Sequence, residues 1–91
     1  MVTQIAKGTF TGTGNNVSVT VGFKPSSVKV INKSNGVVTE TIDGLAPKAI
    51  NTVTGETVAI TVVDDKIEIT DSGFVFKGST SDKEYVYLVF G

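Results

Sequence analysis

Apolar and polar residues alternate along most of this chain, which is the period of a strand with one covered face. In Val17-Ser18-Val19-Thr20-Val21 three valines share one face and two hydroxyls the other. Gly8-Thr9-Phe10-Thr11-Gly12 precedes it and predicts a hairpin partner, joined through Thr13-Gly14-Asn15-Asn16, where Gly and Asn accept the positive φ of a tight turn. Gly22-Phe23-Lys24-Pro25 predicts a corner, because Pro25 fixes φ and removes a backbone donor. Strands over 28–32 and 37–42 flank Asn35-Gly36, the strongest hairpin signal in the sequence. The stretch 43–48 breaks the alternation and predicts an exposed loop. Beyond it the pattern predicts strands over 49–53, 56–63, 67–70, 74–76 and 85–90. Thr54-Gly55, Asp64-Asp65, Asp71-Ser72-Gly73 and the polar run 79–83 separate them. Within 56–63, Val58, Ile60 and Val62 share a face.

Short strands at this spacing, with no helical i, i+3, i+4 pattern, predict one all-β domain over residues 1–91. Its expected form is a small antiparallel β-sandwich of about eight strands, jelly-roll-like or Ig-like, with two packed sheets. Residues 1–6 are read as an extended N-terminal arm. The last strand, 84–90, is apolar on both faces. At a sheet edge such a strand invites aggregation, so it is expected at the centre of a sheet, under another element or against another subunit, the central position being the simplest.

Composition reinforces this picture and removes most chemistry. The 91 residues include fifteen Val, thirteen Thr, ten Gly and seven Ile against two Leu, which is strand-and-turn composition. There is no His, Cys, Trp or Arg. No disulfide and no ordinary zinc site are therefore expected, nor any other metal or cofactor. A chain of this length buries only about 60–65% of its unfolded surface, and with no covalent or metal staple self-association is the expected support. The net charge of −1 and the lack of Arg argue against a nucleic-acid partner. No apolar run approaches the roughly 20 residues of a spanning helix, and no signal-peptide pattern opens the chain, so no membrane partner is expected and synthesis in the cytoplasm is.

Several short motifs lose to simpler readings. Ser26-Ser27-Val28-Lys29 has Ser-x-x-Lys spacing, but at a strand start residues three apart face opposite ways. Asp64-Asp65 and Asp71 lack the spaced carboxylates and central Gly of a calcium loop. Nine carboxylates scatter through turns without a paired acid and base, so the chain is read as a non-enzyme. The sequons at Asn16 and Asn32 are read as accidental. Of the aromatics, the five Phe are read mainly as core, while Tyr85 and Tyr87 share a face and mark a glycan-stacking alternative.

Taken in order, the elements resemble the small β modules of bacteriophage virion proteins. The residues that carry the resemblance are the Gly-rich opening Gly8-Thr9-Phe10-Thr11-Gly12-Thr13-Gly14, the alternating strand 17–21, the corner Gly22-Phe23-Lys24-Pro25 and Val28-Lys29-Val30. Thr70-Asp71-Ser72-Gly73-Phe74 and the closing Tyr85-Val86-Tyr87-Leu88-Val89-Phe90 complete them. The segment 42–57 carries no part of it. Such modules occur in tail fibres and as short separate chains that decorate or cement capsids, commonly as trimers, and a short chain opening with Met is more like the second kind. The resemblance implies a capsid decoration protein, a homotrimer bound to the major capsid protein on the virion surface. The alternative is a receptor- or glycan-binding module of a tail fibre or cell surface. Partner contacts are expected at Val2, Thr3, Gln4 and Ile5, where an arm can add a strand to a neighbour, and at Leu45, Ala46 and Pro47, which pair apolar character with a loop position.

Overall fold

The computed structural model describes residues 4–54 and 57–91. It is an antiparallel β-sandwich, with nine strands among the described residues: β1 (Ile5–Thr11), β2 (Val17–Thr20), β3 (Ser27–Asn32), β4 (Val38–Ile42), β5 (Ala49–Thr54), β6 (Thr57–Val63), β7 (Ile67–Ile69), β8 (Gly73–Phe76) and β9 (Glu84–Phe90). They form a six-stranded sheet in the order β1-β9-β3-β4-β5-β6 and a three-stranded sheet in the order β2-β8-β7.

The doubly apolar last strand sits where its composition requires. β9 lies between β1 and β3, with Ile5 opposite Phe90 on one side and Ser27 opposite Phe90 on the other. Its even-spaced residues Tyr85, Tyr87 and Val89 face the second sheet, while Val86, Leu88 and Phe90 face away.

The predicted hairpin of the first two strands is replaced by a crossover between sheets. β1 does not pair with β2; it pairs with β9, and β2 pairs with β8 in the other sheet. Asp64-Asp65 likewise carries the chain from β6 in the large sheet to β7 in the small one. Turn residues specify a reversal but not which sheet receives the next strand. The Asn35-Gly36 hairpin does form, joining β3 to β4, and β7 to β8 is a hairpin as well. The Gly22 corner moves the chain between sheets: Gly22 has φ 87°, the amides of Val21 and Gly22 both donate to the Ser72 carbonyl, and Pro25 is fully buried.

The core fills the space between the sheets. Val28, Val30, Ala49, Tyr85 and Val89 from the large sheet meet Ile67, Phe74 and Phe76 from the small one. Phe10 stacks on Tyr85 with ring centroids 5.0 Å apart, and Phe74 meets Tyr87 edge-on at 5.6 Å. The small sheet is too narrow to cover the large one. Asn32 and Thr39 are buried, yet Thr57 and Thr61 on the inner side of β6 are exposed.

Candidate interaction surfaces

Cross-strand register places the outward-facing residues of the large sheet in rows. One row runs Ile5, Phe90, Ser27, Ile42 across β1, β9, β3 and β4. The next runs Lys7, Leu88, Lys29, Glu40, Ile50 and Val62 across all six strands. The third runs Thr9, Val86, Ile31, Val38, Val53 and Val58, across register shifts in the β4–β5 and β5–β6 pairings, where β5 and β6 each carry an extra residue. Apart from Lys7 and the Lys29–Glu40 pair, 3.5 Å apart, the two long rows are apolar or carry one hydroxyl.

Among the described residues no second layer covers this face. Val58, Ile60 and Val62 are 83%, 80% and 66% exposed, and Ile5 and Ile42 are 59% and 57% exposed. The predicted shared face of Val58, Ile60 and Val62 therefore exists, but it is the outer one. A shallow groove of about 160 Å³ runs across this face, lined by Lys29, Glu40, Ile42, Leu88 and Phe90 among others.

Among the described residues β6 has no partner on its outer side, so it adds an edge to the open face. Its sequence, Thr57-Val58-Ala59-Ile60-Thr61-Val62-Val63, contains no charge and no proline, the usual devices that protect an edge strand.

The sequence-predicted contact residues divide between these features. Val2 and Thr3 lie outside the described residues. Gln4 is exposed, and its carbonyl accepts the Gly91 amide at 2.7 Å. Ile5 and Ala6 are strand residues of β1, opposite Phe90 and Val89, so an arm free of the sheet does not include them. Ile5 instead heads the first outer row. Leu45 and Ala46 are half-buried and Pro47 is exposed. Their loop is pinned by the Leu45 amide donating to Ile42 and by the Pro47 carbonyl accepting the amides of Lys66 and Ile67. The loop leaves the sheet from Ile42, the far end of the row that Ile5 begins. Three strand spacings, about 14 Å, separate the two.

A second concavity opens between the sheets on the opposite side, where the small sheet falls short. This cleft of about 200 Å³ is lined by β3–β6 and by the segment around Phe76–Thr80. Three asparagines, Asn32, Asn35 and Asn51, contribute to it with Lys66, and its floor includes Val30, Phe76 and Tyr85. Sequence reasoning passes over these amides, since the sequon at Asn32 reads as accidental and Asn35 as a turn residue. The rings of Tyr85 and Tyr87 point into the core, and the Tyr85 hydroxyl accepts the Thr80 amide at 2.9 Å. Neither presents a stacking platform at a rim. Among the described residues no three His, Cys, Asp or Glu side chains converge as metal ligands would.

No protein-family model, curated protein or solved structure matches the chain.

Proposed function

We propose that this chain is a bacteriophage capsid decoration, or cement, protein. It assembles as a homotrimer, binds the major capsid protein on the outside of the shell and stabilises the particle. The observation that supports this reading is the uncovered apolar face of the six-stranded sheet. Six strands at ~4.8 Å spacing and about six residues of ~3.3 Å give the whole face, Lys7, Lys29 and Glu40 included, a footprint of about 570 Å². The largest apolar patch of a typical monomer is about 300–600 Å² and is often functional. A standard subunit contact takes about 800 Å² from each partner, more than this face alone, so the reading also draws on the edge strand and the Leu45–Pro47 loop.

The mechanism needs no catalytic group. A protein that binds the assembled shell and not its separate subunits shifts assembly towards the shell by mass action. The closed face of the sandwich gives rigidity, and the open face gives contact.

Copy number per particle, measured by quantitative mass spectrometry on purified virions from the source, tests the reading. A number that scales with the major capsid protein supports it. A handful of copies moves the chain to the tail, and absence from particles overturns the virion assignment.

The cleft beside Tyr85 favours a second reading, a receptor- or glycan-binding module of a tail fibre or cell surface. This reading predicts saturable binding of a small ligand, with the sheet face serving only for assembly.

A further inference from the structure

The cleft between the sheets carries a chemical bias that its shape alone does not reveal. Its three carboxamides have their oxygens committed inside the protein. The Asn32 Oδ1 accepts the Ser34 amide at 2.9 Å and the Ser34 hydroxyl at 3.1 Å, and the Asn35 Oδ1 accepts the Val37 amide at 3.0 Å. A backbone N–H donates only to an oxygen, so these two side chains cannot be flipped without losing those bonds. The Asn51 Oδ1 accepts the Thr39 hydroxyl at 2.7 Å.

Each of these asparagines is left with an NH₂ group that finds no acceptor among the described residues. No buried side-chain nitrogen or oxygen lacks a partner there, so the NH₂ groups of the buried Asn32 and half-buried Asn51 retain solvent contact. The cleft they line supplies that solvent. The Lys66 ammonium is the fourth donor. It lies 4.7 Å from the centroid of the Phe76 ring and donates one hydrogen bond to the Gly78 carbonyl at 3.4 Å, both on the cleft wall, which leaves its other two N–H groups for a ligand. Among the described residues no ion pair uses Lys66 and no carboxylate lines the cleft. Three amide donors and one cation line the cleft, with no acidic group opposed to them among the described residues, which is the donor chemistry an oxyanion takes.

Size narrows the ligand. At ~30 Å³ per water, the cleft holds about six or seven waters. That is room for a carboxylate attached to a single small ring. The Thr80 hydroxyl and Gly78 carbonyl complete the polar wall and suit ring hydroxyls. We propose that the cleft bounded by Asn32, Asn35, Asn51 and Lys66 binds the carboxylate of a sugar acid of monosaccharide size. The inference rests on the ligand-binding reading of the cleft and does not depend on the virion assignment.

Heteronuclear NMR of the full chain, following the asparagine side-chain NH₂ resonances, tests it with D-glucuronate, D-glucose and acetate as probes. Glucuronate shifts all three NH₂ pairs at millimolar concentration and binds about tenfold or more tightly than glucose, because a charge-assisted hydrogen bond exceeds a neutral one. Lys66→Gln, at a half-exposed site, removes that preference and leaves the rest of the spectrum unchanged. Equal binding of glucose and glucuronate overturns the carboxylate assignment but keeps the ligand-binding reading. Acetate binding as tightly as glucuronate overturns the sugar-acid assignment. No shift with any probe at tens of millimolar overturns both.

Discussion

Two glycines show how differently space and backbone conformation constrain a single residue. Gly73 opens β8 beside β2, opposite Thr20, and a Cβ there would collide with the Val19 carbonyl and sit 3.0 Å from the Thr20 Cα. Both neighbours are backbone, so neither can turn aside. Gly73→Ala should therefore cost about 1–3 kcal/mol of stability, read as a lower urea midpoint at unchanged slope. Gly22 has nothing within 4 Å of a Cβ, and there the constraint is its φ of 87°. In the sequence Gly73 looked like a turn residue after Asp71-Ser72. Its actual reason, the close passage of β2, is invisible without knowing that these two strands pair.

At the scale of the element, the strands were legible and their partners were not. Alternation located the strands of both sheets, and the doubly apolar run 84–90 correctly predicted a central position for β9. Pairing of β1 with β9 joins residues about eighty positions apart, and no local signal encodes it. The open face was legible only in part. Val30-Ile31, Val62-Val63 and Leu88-Val89 place apolar side chains on both sides of their strands. That pattern says that two faces need cover, but not that the second one lacks it. The cleft was less legible still, because its asparagines come from β3, the β3–β4 turn and β5. On the covered side the aromatic residues tie elements together. Phe74 of β8 is 1% exposed and meets Phe10 and Tyr87 from β1 and β9, with Phe74–Phe10 centroids 6.4 Å apart. Phe74→Ala removes that link and should lower stability by about 3–5 kcal/mol, measured by thermal or urea unfolding. For a domain of this size that is a large part of the whole.

For the molecule as a whole, the division of labour between the two faces of the large sheet makes a further prediction. Side chains on the outer face contribute little to the monomer because they stay in water, but they contribute to any assembly that covers them. The double variant Val58→Lys, Ile60→Lys should keep the circular dichroism and unfolding midpoint of the parent while shifting sedimentation towards the monomer. It places two ammonium groups on the edge strand, where natural sheets use Lys to block pairing. A parent chain that sediments as a monomer at high concentration would instead remove the homotrimer from the proposal.

The position of β9 also sets an order in time. During synthesis β1 emerges first of the nine strands and β9 last, yet β9 alone connects β1 to β3. Until its final residues leave the ribosome, β1 has no partner, β3 has a bare edge, and the side of the core formed by Tyr85 and Val89 is missing. Closure of so long a loop is slow, and the incomplete sheet exposes two sticky edges while it waits. The strand that makes the finished sheet continuous is thus also the reason that its precursor needs protection from other copies of itself.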